Sequence, residues 1–321
     1  SIRSVYHVRN LEVFRMKQLT VTEDSPIDIL LSHDWPRGVT KYGNVDELCR
    51  QKTFFKEEVE SETLGSRAAQ ELLHFVKPRY WFSGHLHVKF AAIVPHDAEN
   101  DQSQEEKKDS KKKSSQFTRF LALDKCLPRR EFLQVIDIKP NYRLLSKCGT
   151  KILLSCGEVP MYNEQGTPII YHDLEWLTVL RLTNHLLKVT PHAVYMPGPG
   201  SSERYDFTPS NEDMDKTLEL LSSNLAISED FFSRTVEAYN PENDSHFLRN
   251  IDTVPQPSAV LNPYTVKLCD NLNINDPIAV LLSIATLVLL LDSLGRWVAS
   301  GYLFGMAIEH ALQIGSPVSW L

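Results

Sequence analysis

The sequence lacks the features of a disulfide-rich, secreted or nucleic-acid-coating protein. Its five cysteines form no CxxC pair, and an odd, scattered set fits a reducing compartment. The first residues contain no apolar run of the kind that a signal peptide has, so we expect none. A net charge of −7 and a pI near 5.9 argue against a general nucleic-acid coat, because binding to phosphate backbones needs excess lysine and arginine. An enzyme with a local basic groove remains compatible with this balance.

Long apolar runs are also scarce until the end of the chain. The run from Ile278 to Leu291 carries no charge, but it is shorter than the roughly 20 apolar residues of a membrane span. Three interpretations of residues 277–321 stay open: a gene-model or splicing artefact that replaces the native tail, a buried helix, or a membrane anchor through Ile278–Ile308. We do not expect a membrane as a partner.

What is present is a core-forming chain of 321 residues, 42% of them hydrophobic. The apolar run Ile27–Leu31 predicts a buried strand, and the aromatic run Tyr80–Phe82 predicts a second one. Between them the pattern predicts helices from about Asp46 to Phe75, with a break at Gly65–Ser66. Strands that alternate with helices predict an α/β fold.

Residues 97–116 are almost free of apolar side chains and contain the lysine cluster Lys107–Lys113, so they predict a loop. A charge run of this kind is more often solvated than bound to RNA. Strand character resumes at Phe117–Leu123 and at Phe132–Ile136.

The second half of the chain changes character. Residues 139–168 form a connector, and residues 169–276 predict a smaller, mostly helical domain. Within it, Ser210 and Asp213 resemble the ends of a capping box that opens a helix through about Leu225.

Histidines follow both predicted strands. His85 and His87 lie two residues apart, and in an extended backbone such residues project to the same side. Gly84 would allow a sharp turn out of the strand where a Cβ would block it. Two neutral imidazoles at one spot suit Zn, Fe or Mn, although such a pair can equally be a matter of packing. His33 is placed in the same way, either as a ligand at the strand end or as a residue that caps the strand.

Four continuous motifs carry a resemblance to a known family: LSHDWPRG (31–38), TLGSRAAQELL (63–73), PRYWFSGHLHVKFAA (78–92) and FLALDKCLPRREFLQ (120–134). They resemble the RNA lariat debranching enzymes of the metallophosphoesterase superfamily. The resemblance covers about 1–138 and 169–276. It implies an α/β fold: the C-terminal half of a metallophosphoesterase α/β sandwich, followed by a smaller helical C-terminal domain and an atypical tail at 277–321.

The resemblance implies a two-metal site that uses divalent Fe²⁺, Zn²⁺ or Mn²⁺. His33 and His85 would bind one metal, and His87 would bind the other. The implied activity is hydrolysis of the 2'-5' phosphodiester at the branch point of lariat intron RNA, not of DNA. The same role in intron turnover implies a nuclear protein that meets spliceosome-associated proteins.

Three further residues belong to the resembling motifs, and their roles stay open. Asp34 either orients His33 or a neighbouring group, or it caps the loop. Arg37 and Lys89 either contact phosphate or are solvated surface charges.

The chain also departs from the family pattern. The earlier motifs that supply the bridging carboxylate, an Asn ligand and the catalytic His do not precede His33, so no catalytic residue can be assigned. We therefore expect a chain truncated at its N-terminus, inactive by itself, with an exposed sheet edge and a poorly folded first domain. The alternative is a non-catalytic isoform that binds RNA or a splicing partner.

Overall fold

The computed structural model describes residues 9–21, 27–96, 116–138, 162–190, 194–228, 231, 234 and 260–284. The chain divides into two compact units. The sheet unit comprises residues 12–150, and the helical unit comprises residues 1–11 with 151–321.

A four-stranded mixed sheet forms the centre of the sheet unit. Its strands are β1 (Ile29–Ser32), β2 (Tyr80–Ser83), β3 (Phe90–Pro95) and β4 (Phe117–Ala122). Their order across the sheet is β1-β2-β4-β3. Strands β1, β2 and β4 run parallel, whereas β3 is antiparallel to β4. A sheet of this kind with helices confirms the predicted α/β class.

Two strand predictions need correction. Strand β3 was not predicted from the sequence, although its side chains alternate regularly between buried and exposed. The predicted strand at Phe132–Ile136 is wrong, since no strand is present there. Leu133 and Val135 are 76% and 92% exposed. An apolar run forms a strand only when a neighbouring strand pairs with its backbone, and the described residues provide none here.

Helix α1 (Asn10–Met16) precedes β1. The α-helices that connect β1 to β2 are α2 (Val45–Gln51), α3 (Lys56–Glu60) and α4 (Arg67–Val76). The predicted break at Gly65–Ser66 is confirmed. Gly65 has a φ of 93°, and a Cβ there would lie 2.7 Å from the Trp35 carbonyl oxygen. Ser66 then caps α4, because its hydroxyl accepts a hydrogen bond from the Ala69 amide.

The core of the sheet unit lies between one face of the sheet and α4. Trp81 and Phe120 are buried on the sheet, and Leu73 and Val76 are buried on the helix. The opposite face is apolar but open: Leu31 is 73% exposed and Ile93 is 62% exposed. Within the described residues, one face of the sheet is therefore covered by α4, and the other is open at Leu31 and Ile93.

The helical unit contains α5 (Leu174–Leu182), α6 (Asn211–Leu220) and α7 (Pro263–Leu272). The capping box of Ser210 and Asp213 is confirmed, but α6 ends at Leu220 rather than near Leu225. Buried hydroxyls join α5 to α6, because Thr178 donates a hydrogen bond to Thr217 Oγ1 at 3.0 Å.

The first part of the apolar run is helical, over residues 277–284. The Asp276 carboxylate caps it by accepting hydrogen bonds from the Ile278 and Ala279 amides, at 2.8 and 3.4 Å. The rest of the tail, most of the predicted loop (97–115, with Lys107–Lys113) and most of the connector (139–161) lie outside the described residues. In the part of the chain that is described, no helix is both long and apolar enough to cross a membrane.

Candidate metal centre

The first loop of the candidate centre follows β1 and carries His33. At the end of β1, the Ser32 hydroxyl accepts a hydrogen bond from Trp81 Nε1 at 2.8 Å and donates one to the Asp34 carbonyl at 2.6 Å. Ser83, at the end of β2, donates to the same carbonyl at 3.1 Å. These bonds hold the loop backbone against two strands, and the His33 side chain is exposed beyond them.

The second loop follows β2 and is tied to the first. The Gly84 amide donates a hydrogen bond to the His33 carbonyl at 3.1 Å. The indole N–H of Trp35 donates to the Gly84 carbonyl at 2.9 Å, and Trp35 is itself buried. Both loops are therefore connected at the residue that directly precedes His85.

The structure brings His33 and His85 together. His33 Nε2 and His85 Nδ1 are 2.9 Å apart, and the ring centroids are 4.6 Å apart. Burial lowers the pKa of His33, the charge of His85 lowers it further, and Asp34 opposes the shift. The neutral imidazole is favoured as a result, and it is the form that donates a nitrogen lone pair to a metal.

The predicted backbone geometry of this loop is wrong. His85 and His87 have φ values of 63° and 53°, in the left-handed region, so they are not consecutive positions of an extended strand. Gly84 is not required on steric grounds, because a Cβ there would meet nothing within 4 Å. The strained residues are the histidines, and the backbone turn that they make points the His85 ring at His33.

His87 lies in a positively charged part of the loop. Its pKa is lowered by burial first, then by the charges of Lys125, Lys52 and His85, while Asp124 raises it. Within the described residues, no three or more His, Cys, Asp or Glu side chains form a group that could hold a metal ion. The structure thus pairs His33 with His85 but does not bring His87 into the same group.

Comparison with known proteins identifies the family. The model of the family described as "Lariat debranching enzyme, C-terminal domain" matches residues 115–277, about half of the chain. The chain belongs to the lariat debranching enzyme family. The predicted resemblance is confirmed, although truncation at the N-terminus stays a prediction.

Curated relatives support the same assignment. The lariat debranching enzyme of Drosophila pseudoobscura pseudoobscura is 41% identical over 303 residues, which cover 87% of this chain and 51% of the relative. The Homo sapiens enzyme is 41% identical and the Arabidopsis thaliana enzyme 37% identical; the matches cover 86% and 85% of this chain, and 43% and 52% of those proteins. The chain spans about half the length of the curated relatives it matches.

Asp34 of the family motif acts on the loop. Its carboxylate accepts a hydrogen bond from the Trp35 amide at 2.7 Å, which is the loop-capping role. Its negative charge also raises the pKa of His33, so it favours a charge on that ring from a distance. The structure therefore favours loop capping, with an electrostatic effect on His33.

The two cationic candidates differ in their surroundings. Lys89 forms an ion pair with Glu131 at 2.9 Å, which offsets the charge that it could offer a phosphate. The Arg37 amide donates to the Ser66 carbonyl at 3.0 Å, and its buried Nε finds no hydrogen-bond partner in the described structure. A contact of either residue with phosphate stays a prediction.

Trp35, Lys52 and Lys125 were not predicted from the sequence to have roles of their own. Trp35 connects the two loops, and the two lysines place positive charge near His87. For Trp35 and Lys125, the signal available in the sequence was that they belong to the motifs LSHDWPRG (31–38) and FLALDKCLPRREFLQ (120–134). Lys52 belongs to none of the quoted motifs, and only the fold brings it near.

Proposed function

We propose that the protein to which this chain belongs is an RNA phosphodiesterase that hydrolyses the 2'-5' bond at the branch point of lariat intron RNA. The observation that carries the proposal is identity of about 40% with lariat debranching enzymes over most of the chain. The His33–His85 pair at the ends of two parallel strands is consistent with it, because active sites of α/β proteins form at this edge.

The finer fold belongs to the same proposal. In a metallophosphoesterase sandwich, a second layer covers the sheet face that is open here. The exposure of Leu31 and Ile93 supports such a layer, because large exposed apolar side chains on a sheet face are the kind that another layer of protein covers. Among the described residues, β1 has a neighbouring strand on one side only, which supports such a layer as well, since a parallel strand is normally paired or covered.

The described residues fit part of a metal centre. His33 and His85 would hold one divalent ion, Fe²⁺, Zn²⁺ or Mn²⁺, and His87 would hold a second. Two converging imidazoles suit these metals but fall short of the three or four protein ligands of a zinc site, so the remaining ligands would come from outside the described residues. When bound, such ions supply an activated water and neutralise charge on the phosphate.

The chain's own residues prepare this chemistry. The low pKa of His33 keeps its ring neutral, and the bond from Trp35 to Gly84 fixes the loop that carries His85. Both imidazoles are exposed, so an RNA backbone can reach them. No group in the described residues is assigned as the proton donor or acceptor.

Debranching of a synthetic RNA with one 2'-5' linkage, in the presence of Mn²⁺ or Fe²⁺, tests the proposal. We expect no cleavage by this chain alone, because two imidazoles without a carboxylate bind divalent ions weakly. We also propose a chimera that joins this chain to the parts of the human relative that lie outside the matched region. This chimera should cut the branched RNA. His85→Ala in the chimera should abolish cleavage, whereas His74→Ala, an exposed histidine on α4, should leave it unchanged.

A second function is favoured by one observation, the incomplete donor set. A non-catalytic isoform would bind RNA or spliceosome-associated proteins in the nucleus without cleavage. A chimera that binds branched RNA but never cuts it would support this alternative and contradict the proposed hydrolase. Nuclear accumulation of a fluorescent fusion of this chain would test the location that both functions share.

A further inference from the structure

The strand register joins the side chains of the open face, which is the sheet face that carries Leu31 and Ile93. Residues two apart along a strand project to the same face, and neighbouring strands lie about 5 Å apart. One row across this face, from β1 through β2 and β4 to β3, consists of Ile29, Tyr80, Arg119 and Ile93. The next row consists of Leu31, Phe82, Leu121 and Ala91. The two rows form an apolar surface four strands wide, and Arg119 is their only charged residue.

Two aromatic rings of the same face hold the Arg119 guanidinium in place. Its central carbon lies 4.4 Å from the ring centre of Phe117 and 5.4 Å from that of Tyr80. Cation–π contacts of this kind orient the group without engaging its N–H donors with an oxygen. Arg119 is exposed, and none of the ion pairs between described residues includes it, whereas the neighbouring Arg79 pairs with Asp28. Within the described residues, the open face therefore presents an oriented cation without a counterion.

This charge restricts what can cover the open face. A covering layer removes Arg119 from water, and a charge buried without a partner is strongly unfavourable. A second copy of this chain is a poor occupant, because the two rows contain no carboxylate and two copies face to face would each bury an unpaired guanidinium. An occupant that is apolar but carries one carboxylate satisfies both the surface and the charge.

The relatives supply room for such an occupant within one protein. The match to this chain covers 51%, 43% and 52% of the three lariat debranching enzymes described above, so each has a further part of comparable length. A segment of the same protein also reaches this face without the entropic cost of bringing two separate molecules together.

We propose that the open face docks a further apolar layer of the same protein, and that this layer brings an Asp or Glu carboxylate to Arg119. This inference rests on the proposed function, since it states the chemistry of the second layer proposed there. The planar guanidinium binds a carboxylate through two parallel N–H donors, which fixes direction as well as distance. Arg119 thus selects the position at which the layer docks, while the apolar rows supply the contact area.

Two fluorescent dyes test the surface on the full chain. Anilinonaphthalene sulfonate (ANS) is apolar with one negative charge, and Nile red is apolar and uncharged. Arg119→Gln should weaken ANS binding about two- to five-fold, because an exposed ion pair is lost, and should leave Nile red binding unchanged. Arg67→Gln, at a guanidinium on α4 that is 79% exposed, is the matched control and should bind both dyes like the unaltered chain.

Three results with the dyes would overturn the proposal. The first is equal ANS affinity in Arg119→Gln and the unaltered chain. The second is an equal loss in Arg67→Gln, since the effect would then not be local. The third is an effect of Arg119→Gln that persists in the double variant Leu31→Thr with Ile93→Thr, because ANS would then bind away from the open face.

Arginine modification with phenylglyoxal, followed by mass spectrometry, tests the occupant in the chimera described above. Arg119 should react at least about ten-fold more slowly in the chimera than in this chain, because the layer must open before the reagent can enter. Arg67 should react equally in both proteins. If this chain alone is dimeric by light scattering and already protects Arg119, a second copy is the occupant and the proposal is overturned.

Cleavage of branched RNA by the chimera is a separate readout. A chimera that protects Arg119 but does not cut leaves the docking surface standing and contradicts the proposed hydrolase. A chimera that cuts while Arg119 reacts as fast as in this chain overturns the docking surface and leaves the hydrolase standing.

Discussion

At the scale of single residues, Trp35 does more for the candidate centre than its position in a motif suggests. Its ring lies 5.1 Å from Phe90 and 5.3 Å from Phe120, so it belongs to the core. Its indole N–H meanwhile holds the Gly84 carbonyl. One side chain therefore links the stability of the core to the position of the loop that carries His85.

Trp35→Phe should separate these two contributions. Most of the ring packing is kept, but the Gly84 carbonyl loses its donor, so we expect a loss of about 1–3 kcal/mol in the free energy of unfolding. Amide exchange at Gly84 should become faster, because the loop is less constrained. Urea denaturation and hydrogen exchange measure the two effects. Trp176→Phe, in the helical unit, is the control, and equal exchange at Gly84 in both variants would contradict the role of Trp35.

At the scale of elements, caps decide where helices begin. Ser66, Asp173, Ser210 and Asn262 each accept a hydrogen bond from an amide in the first turn of their helix. Polar side chains of this type satisfy amides that have no partner within the helix. Helix starts were accordingly easier to predict than helix ends: α6 begins after Ser210 as expected but ends earlier than expected.

Ser210→Ala should destabilise the helical unit by about 1 kcal/mol. The hydrogen bond from Ser210 lowers the pKa of Asp213, so the folded state binds that proton less readily than the unfolded state. This contribution is present above the ordinary pKa of an aspartate and is lost as the pH falls through the lowered value. The variant should therefore lose less stability on acidification. Thermal unfolding at neutral and acidic pH checks both effects, and Ser202→Ala, in an exposed loop, should change neither.

At the scale of the whole sheet unit, the two faces of the sheet differ. One face is buried against α4, while Leu31 and Ile93 leave the other face apolar and open. Side chains that are already in water contribute little to stability, but exposed apolar side chains attract apolar ligands. A further layer of protein on the open face would therefore reduce the exposure of Leu31 and Ile93.

The double variant Leu31→Thr with Ile93→Thr should bind less of a fluorescent apolar dye than the unaltered chain. Its stability should change by no more than about 0.5 kcal/mol, because neither side chain is buried. Val135→Thr, at a side chain that is even more exposed but lies outside the sheet, should leave dye binding unchanged. A double variant that binds the dye as before would show that the open face is not the site of dye binding.

The sequence by itself determined the strands β1, β2 and β4, the break before α4, the capped start of α6 and the family. The local spacing of apolar residues, the capping residues and the long continuous motifs carry this information, because each depends only on neighbours along the chain. It also located His33 and His85 at strand ends. The strand predicted at Phe132–Ile136 was wrong because a local pattern contains no information about whether another strand pairs with it.

Only the tertiary structure decided which of these residues meet. Parallel pairing of β1 with β2 brings His33 to His85, and the left-handed backbone at His85 aims the ring. Insertion of β4 between β2 and β3 forces the loop that carries His85 and His87 across the end of β4. Such contacts join residues that are about 40 or 50 positions apart, and strand order depends on long-range packing that no local pattern encodes. The sequence therefore supplies the chemistry of the centre, and the order of the strands sets its geometry.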